Sequence, residues 1–349
     1  MNNRTATIHD VARRAGVSES TVSRVLSGAK TQITISEETR LGVQQAAREL
    51  SYRPHPSARA LSGRNSHLLG IIAREIDDPW FAYVIDIISS TAKEHGYDVV
   101  LGNARRDPEE ALALRHTMLD MRYCDGLFLC GDLQESAEDY TFLSKMGEDR
   151  RLVSVSRGSR DLACNIPSVT VNNPRGVLLA LSYLAELGHR QIGCISSGRM
   201  GDLFERVEAY RAFMQSHFGA APAAYVEMDQ DSFEGGYCAA RRLFTQANPP
   251  TAVFAAADRL AIGAMSALFD LGVHVPRDAS VVGFDDMDFS AYSRPALTTV
   301  HQPTEEIGQT AVKLLLEMIE GRGTLPGPCP QLLLEPQLVV RASCAPPCR

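Results

Sequence analysis

From His67 onward the chain alternates short apolar runs with stretches of helical spacing, and few folds accommodate that alternation. The runs LLGIIA (68–73), YDVVLG (97–102), GLFLC (126–130) and LVSVS (152–156) form one series, with helices expected over Trp80–His95 and Glu109–Arg122 and a weaker one after GLFLC. A second series runs SVTVN, helix Pro174–Leu187; IGCISS, helix near Leu203–Phe218; AYVEM, helix Glu234–Gln246; TAVFAAA, helix Leu260–Leu271; then SVVGF (280–284). Strands separated by helices must run parallel, because the chain returns to the same end of the sheet before each new strand. Two series imply two lobes, each a doubly wound parallel sheet. In such sheets ligands sit beyond the carboxyl ends of the strands, so the cleft between the lobes is the expected binding site.

The 349 residues are 44% hydrophobic and 22% charged, enough apolar material for real cores. No apolar run approaches the ~20 residues of a membrane span, and MNNRTATIHD lacks the apolar stretch of a signal peptide, so a cytoplasmic location is expected. The eight cysteines are scattered without a CxxC pair and read as free thiols; Cys344 and Cys348, in a Pro-rich tail, could also oxidise or hold a metal. Charge is unevenly placed. The whole chain is −7, yet the first 65 residues hold ten basic and five acidic side chains, so the remainder is −12. A basic head on an acidic body points to a head that meets phosphates and a body that meets something else.

That head reads as three short helices. Thr7 with Asp10 three residues on gives a reciprocal cap, and Ile8, Val11, Ala12 and Ala15 continue an apolar stripe. Gly16-Val17 breaks the helix, Ser18 caps a second one over Glu19 to Leu26, and Val22, Val25 and Leu26 face inward. So short a turn between helices makes a helix-turn-helix, whose second helix enters the major groove N-terminus first. Thr7, Ser18, Glu19, Ser20, Thr21, Ser23 and Arg24 are the candidate DNA contacts; Arg can grip guanine through two hydrogen bonds and Glu can accept from cytosine N4. A third helix starts at Ser36 and packs through Val43, Ala46, Ala47 and Leu50.

TIHDVARRAGVSESTVSRVLSG, with ISEETRLGVQQAARELSYRP and SARALSGR, closely resembles the DNA-binding head of the lactose/galactose-repressor (LacI/GalR) family. The resemblance implies a hinge helix over Ser57–Ser62 that inserts Leu61 into the minor groove, with Arg59 beside it. Six residues cannot hold a helix alone in water, so such a segment should order only against DNA and its twin from a second subunit. The stretch Ser27 to Ile35 is about three residues longer than the family's usual loop, a change a surface loop tolerates. The body resembles the same family through ELGHRQIGCIS, RVEAYRAF, TAVFAAADRLAIGAMSAL, VPRDASVVGFDD and PALTTVHQP, which implies type I periplasmic-binding-protein architecture with three crossings between lobes, expected near Pro167, Thr299 and Pro330.

The expected organisation is a helix-turn-helix domain (1–56), a hinge helix and linker (57–66), an N-terminal lobe (67–167 and 300–330), a C-terminal lobe (168–299 and 331–341) and a Pro/Cys tail (342–349). The fold class is an all-α head on an α/β two-lobed body. Effector contacts are expected from Trp80 and Phe81, whose rings can stack on a sugar or a base. Arg206 offers a fork of donors, and Asp285, at a strand end, can accept from two vicinal hydroxyls. Arg157 after LVSVS is a further candidate. Asp231 stands where relatives often carry an aromatic, and an added carboxylate favours a polyhydroxylated neutral or cationic ligand over a phosphorylated one. Ala257 precedes Asp258 where many sugar-binding relatives have Asn, and Asp258 could instead cap its helix.

No GxSxG, GxxxxGK[ST], HExxH or strand-following GxGxxG occurs, so no enzyme and no cofactor or metal are expected. The expectation is a transcriptional regulator, a repressor of a carbohydrate-utilisation operon that binds a pseudo-palindromic operator in double-stranded DNA as a homodimer and is switched allosterically by a small molecule. The alternatives are a purine- or nucleoside-sensing co-repressed regulator, a solute-binding protein, or a modifying enzyme carrying a DNA-binding head.

Overall fold

The computed structural model describes residues 6–27, 35–50, 52, 65–131, 151–156, 166–197, 201–219, 225–321 and 331–348. The chain divides into two compact units, Met1–Ser66 and His67–Arg349.

The first unit holds α1 (Ile8–Ala15), α2 (Glu19–Ser27) and α3 (Glu37–Glu49). Each start is set locally. At α1 the Thr7 side chain accepts from the Asp10 backbone N–H, and the Asp10 carboxylate accepts from the Thr7 backbone, a complete capping box. Gly16 ends α1 at φ 67°, a left-handed conformation that costs glycine nothing. Ser36 caps α3 through the Thr39 N–H. Val11, Ala12, Val22, Val25, Val43, Ala46 and Ala47 close a small core among the three helices. The longer 27–35 loop lies largely outside the described residues, as do Arg59, Leu61 and the expected hinge segment.

The second unit is built on two six-stranded sheets. The first has order β11-β5-β4-β3-β1-β2, from β1 (Leu68–Ala73), β2 (Asp98–Asn103), β3 (Gly126–Cys130), β4 (Leu152–Val155), β5 (Ser168–Val171) and β11 (Gln331–Leu334), all parallel. The second has order β12-β10-β9-β8-β6-β7, from β6 (Ile192–Ser196), β7 (Val226–Met228), β8 (Ala252–Ala255), β9 (Ser280–Asp285), β10 (Thr298–His301) and β12 (Gln337–Val339). Only β12 runs antiparallel to its neighbour in that sheet. Strands buried on both faces need continuous apolar runs, which is why β3, β4, β6 and β8 are wholly buried. Helix Thr304–Ile319 returns to the first sheet, where Ile307, Ala311, Val312 and Leu315 join Leu69, Ile71 and Val84 in one core.

Three boundaries differ from the sequence expectation. Ser168–Val171 and Gln331–Leu334 pair with each other in the first sheet, and Thr298–His301 lies wholly in the second. The chain therefore changes lobes after Val171, after His301 and after Leu334, a few residues later than Pro167, Thr299 and Pro330. A proline is tolerated at a strand's entry, so Pro167 marks where a strand begins and not where the chain leaves the sheet; Pro330 lies outside the described residues. The expected helix Glu109–Arg122 is α-helical only over Pro108–Arg115 and continues as a π-turn, His116–Asp120. The C-terminal segment is no loose tail. Ser343 accepts from Val281 N–H and from Thr298 N–H, and the buried His189 ring reaches the Ala345 carbonyl at 2.9 Å. The six described cysteines are all free.

Candidate functional site

Both sheets reverse winding direction beside their first strand, at β1 and at β6, and the loops leaving those strands face one cleft between the lobes. The cleft has a volume of about 800 Å³. Its first-lobe wall follows β1. Asp78 caps helix Pro79–Glu94 by accepting from Trp80 N–H at 2.9 Å, with proline at the first turn where its missing N–H costs nothing. That cap fixes Trp80 and Phe81 at the cleft, their rings edge to face at 5.1 Å. Arg74 lies over the Phe81 ring.

The second-lobe wall centres on Arg206, 3% exposed. Its Nε donates to Asn173 Oδ1 at 2.8 Å, and one Nη donates to the Ala256 carbonyl at 2.6 Å and to Asp285 Oδ1 at 3.2 Å. The guanidinium stacks 3.6 Å from the Phe284 centroid. Asp285 ends β9 at φ 123°, a strained backbone that turns the residue off the strand line. Burial pushes its carboxyl well above the usual carboxylate range, against the opposing pull of Arg206. Gln302 donates to the same oxygen at 2.7 Å. Below them Asp202 accepts from Asn173 at 2.9 Å, from Thr170, and from Ser156 in a very short contact. The cleft thus has a continuous polar floor from Ser156 to Gln302.

Of the effector residues expected from sequence, Trp80, Phe81, Arg206, Asp231 and Asp285 all line the cleft, and Arg157 lies outside the described residues. Asp231 is not a bare carboxylate. Arg259 grips it with two hydrogen bonds, Nε at 2.7 Å and an Nη at 2.5 Å. Asp258 does not line the cleft. It is fully buried and accepts from Met287 N–H, the Ser290 hydroxyl and the Thr299 hydroxyl, so it pins the segment after β9 to its own helix. Burial pushes its carboxyl up to about 6, against those three donors.

Sequence reasoning missed Arg259, Arg74, Asp78, Asp202, Asn173 and Gln302. Asp78 had a readable signal, an acid before proline at a helix start. Arg259 directly follows Asp258, but nothing in its local sequence separates it from a surface arginine. Three side-chain atoms of cleft-lining residues have no hydrogen-bond partner among the described residues, the donors Arg74 Nε and Trp80 Nε1 and the acceptor Gln302 Oε1. Buried unpaired polar atoms are costly, and a ligand offering both acceptors and a donor would satisfy them.

In the first unit the start of α2 is exposed and polar. Ser18 Oγ bonds Ser20 Oγ at 2.8 Å and Thr21 Oγ1 at 2.9 Å, and Glu19 meets His9 Nδ1 of α1 at 2.8 Å. Thr7 spends its hydroxyl on the capping box. Ser23 and Arg24 lie one turn further along the same helix.

Residues 7–55 match the family described as bacterial regulatory proteins, lacI family, and residues 181–344 match the periplasmic binding protein-like domain. The chain is 32% identical over 349 residues to the HTH-type transcriptional repressor PurR of Klebsiella pneumoniae (strain 342), covering 97% of each. It is 32% identical over 342 residues to the PurR repressor of Escherichia coli O139:H28 (strain E24377A / ETEC), again covering 97% of each. Its fold is similar to that of the lac repressor dimer bound to operator and the anti-inducer ONPF, with TM-score 0.85, 28% identity, and coverage of 98% of this chain and 100% of that one. A complex of the transcriptional regulator CelR with cellobiose is similar at TM-score 0.70 and 28% identity, covering 97% and 99%. The head and the two-lobed body found here are the two parts those matches share, and the chain belongs to the lacI family of bacterial regulatory proteins.

Proposed function

We propose that this DNA-binding transcriptional regulator is a repressor that grips a pseudo-palindromic operator as a homodimer and is switched by a neutral, polyhydroxylated small molecule in the inter-lobe cleft. The observation that carries the ligand class is the Arg206–Asp285–Gln302 cluster, which sets fixed donors and acceptors facing an aromatic wall. The cleft's other cations are already matched: Arg259 by Asp231, Arg106 by Glu75 at 2.5 Å, and Arg74 by Glu75 at 2.6 Å. A phosphorylated ligand would find no surplus positive charge there. A hydroxyl-rich ring would satisfy Trp80 Nε1 and Gln302 Oε1 and lay its apolar face on the indole.

A nucleobase is the second reading. Trp80 and Phe81 offer ring faces to a planar heterocycle, and the PurR relatives are 32% identical over nearly the whole chain. Against it, the position of Asp231 carries a carboxylate held by Arg259 and no ring to stack on a base.

On the DNA side, Glu19, Ser20, Thr21, Ser23 and Arg24 present α2 to the major groove, with Leu61 as the minor-groove wedge. An effector changes operator affinity only by its unequal affinity for the two lobe arrangements. The chain carries no enzyme function in this reading; turnover of a bound effector would contradict it. The experiment is a mobility-shift titration on the DNA upstream of the protein's own gene, with a thermal-shift screen of sugars and purine bases. Binding with steep salt dependence is expected, with melting raised by a sugar and operator affinity altered by that same sugar. Leu61→Ala should weaken specific more than non-specific binding; equal loss on both would remove the wedge from the account. Melting raised only by purine bases would favour the second reading.

A further inference from the structure

Beside the Arg206 cluster, and separate from it, a second group of charges spans the cleft. From the second lobe come Asp231 and Arg259. From the first come Arg74, Glu75, Asp78 and Arg106. Arg259 is the hub: with Asp231 already gripped in its own lobe, the same Nη reaches across to Asp78 Oδ2 at 2.9 Å and lies 3.5 Å from Glu75. Arg74 returns the link from the other side, 2.6 Å from Glu75 and 3.7 Å from Asp231. Glu75, Asp78, Asp231 and Arg259 are all buried, and as many guanidinium groups as carboxylates meet there.

Burial by itself would drive protons off Arg259, but its bonds to Asp231 and the charges of Asp231, Asp78 and Glu75 outweigh that and hold it cationic. A charge group of this kind is self-consistent only when both lobes contribute. If the lobes part, Asp78 and Glu75 lose Arg259, and water must replace it.

We propose that Arg259 is a cross-lobe clasp, a positioning residue that holds the cleft closed in the absence of effector through its shared grip on Asp231 and Asp78. The inference rests on the reading of the cleft as the effector site only for its purpose; the clasp itself needs neither effector nor DNA. The consequence is an energetic setting. A ligand that fits the closed cleft meets a chain already populating that form, so its apparent affinity carries a smaller conformational penalty. Met287, from the second lobe, packs in the same apolar cluster as Trp80 and Phe81, so closure also shields the indole.

The chain contains a single tryptophan, which makes the test direct. Acrylamide quenching of Trp80 fluorescence is measured on the full chain without DNA or effector, for the parent, Asp78→Asn, Arg259→Met and the double variant. Asn keeps the side-chain oxygen that caps Trp80 N–H, so Asp78→Asn removes the charge facing Arg259 without removing the helix cap. Opening the cleft should raise the quenching constant about threefold in each single variant, and the double variant should go no further, because both remove one interaction. A folded single variant that quenches like the parent would overturn the clasp, as would effects that multiply in the double variant. Should Arg259→Met fail to fold, Arg259→Lys, which keeps the charge but loses the two-pronged grip, is read by the same criterion. Loss of operator binding in the parent, by contrast, would strike the functional reading and leave the quenching result standing.

Discussion

The DNA-facing head and the effector cleft are both polar surfaces made by short side chains and arginines, yet their polar bonds differ in reach and above all in burial. In the head, Thr7 meets Asp10, Ser18 meets Thr21 and Ser36 meets Thr39, each three residues apart; His9 to Glu19 spans ten, and the exposed pair Arg14 to Glu49, at 2.6 Å, spans 35. In the cleft, Arg259 meets Asp231 across 28 residues, Arg206 meets Asp285 across 79, and Arg259 meets Asp78 across 181. The head's polar groups are also exposed, whereas those of the cleft are buried. An exposed local bond is worth little and is easily remade by water. A buried distant one exists only after the whole body has folded, and its loss strands a charge. The head's polar bonds are therefore individually weak and replaceable, whereas the cleft is a single object.

Four substitutions test that contrast, from the largest effect down. Gly263 and Gly236 let helices Phe233–Phe244 and Asp258–Asp270 touch backbone to backbone; a Cβ on Gly263 would lie 2.0 Å from the Phe233 carbonyl oxygen. Gly263→Val should cost at least about 3 kcal/mol and lower the melting temperature by roughly 6–12 °C, measured by calorimetry. A smaller drop would mean that the second lobe adjusts more freely than its packing indicates.

Arg206→Leu takes from Asp285 its one cationic partner and from Asn173 Oδ1 its donor, and should cost about 3 kcal/mol by urea denaturation, with effector response lost and DNA binding retained. Loss of both activities together would show the two regions to be less separable than their bonding suggests.

Asp258 supplies a pH signature of the buried body. Its carboxyl is raised from 3.8 to about 6, so the folded chain holds that proton more tightly than the unfolded chain does. The stability it contributes is complete below the unfolded value and is lost as pH rises through about 6, on the order of 3 kcal/mol. Asp258→Asn should flatten this slope relative to the parent in denaturation series between pH 4 and 7; parallel slopes would refute the assignment.

The smallest effect is expected in the head. Thr7→Ala removes one cap from α1 and should destabilise by about 1 kcal/mol, read by circular dichroism, with only a modest change in operator affinity. A collapse of operator binding would mean that Thr7 itself touches DNA, beyond its role in the capping box.

The same contrast explains what was legible beforehand. The three head helices, their caps and the Gly16 break were readable because each is decided within one turn of chain. The order of strands and helices in the body was readable from apolar periodicity. The positions of the lobe crossings were not, since a proline such as Pro167 reports on local backbone while the sheet to which a strand belongs depends on its neighbours. Asp231 was identified from sequence as a cleft residue, but its bond to Arg259, across 28 residues, was not legible there. Arg259 itself went unmarked, because nothing within a few residues distinguishes a clasp from a solvated surface arginine.

The sequence by itself determined where helices start and stop, which stretches become buried strands, and the basic head on the acidic body. Those properties follow from dihedral preference, capping and hydrophobic spacing over a few residues. Only the tertiary structure decided which acid meets which arginine across the cleft, because a buried pair is selected by the burial of both partners at once, and that condition is written in no local stretch of the chain.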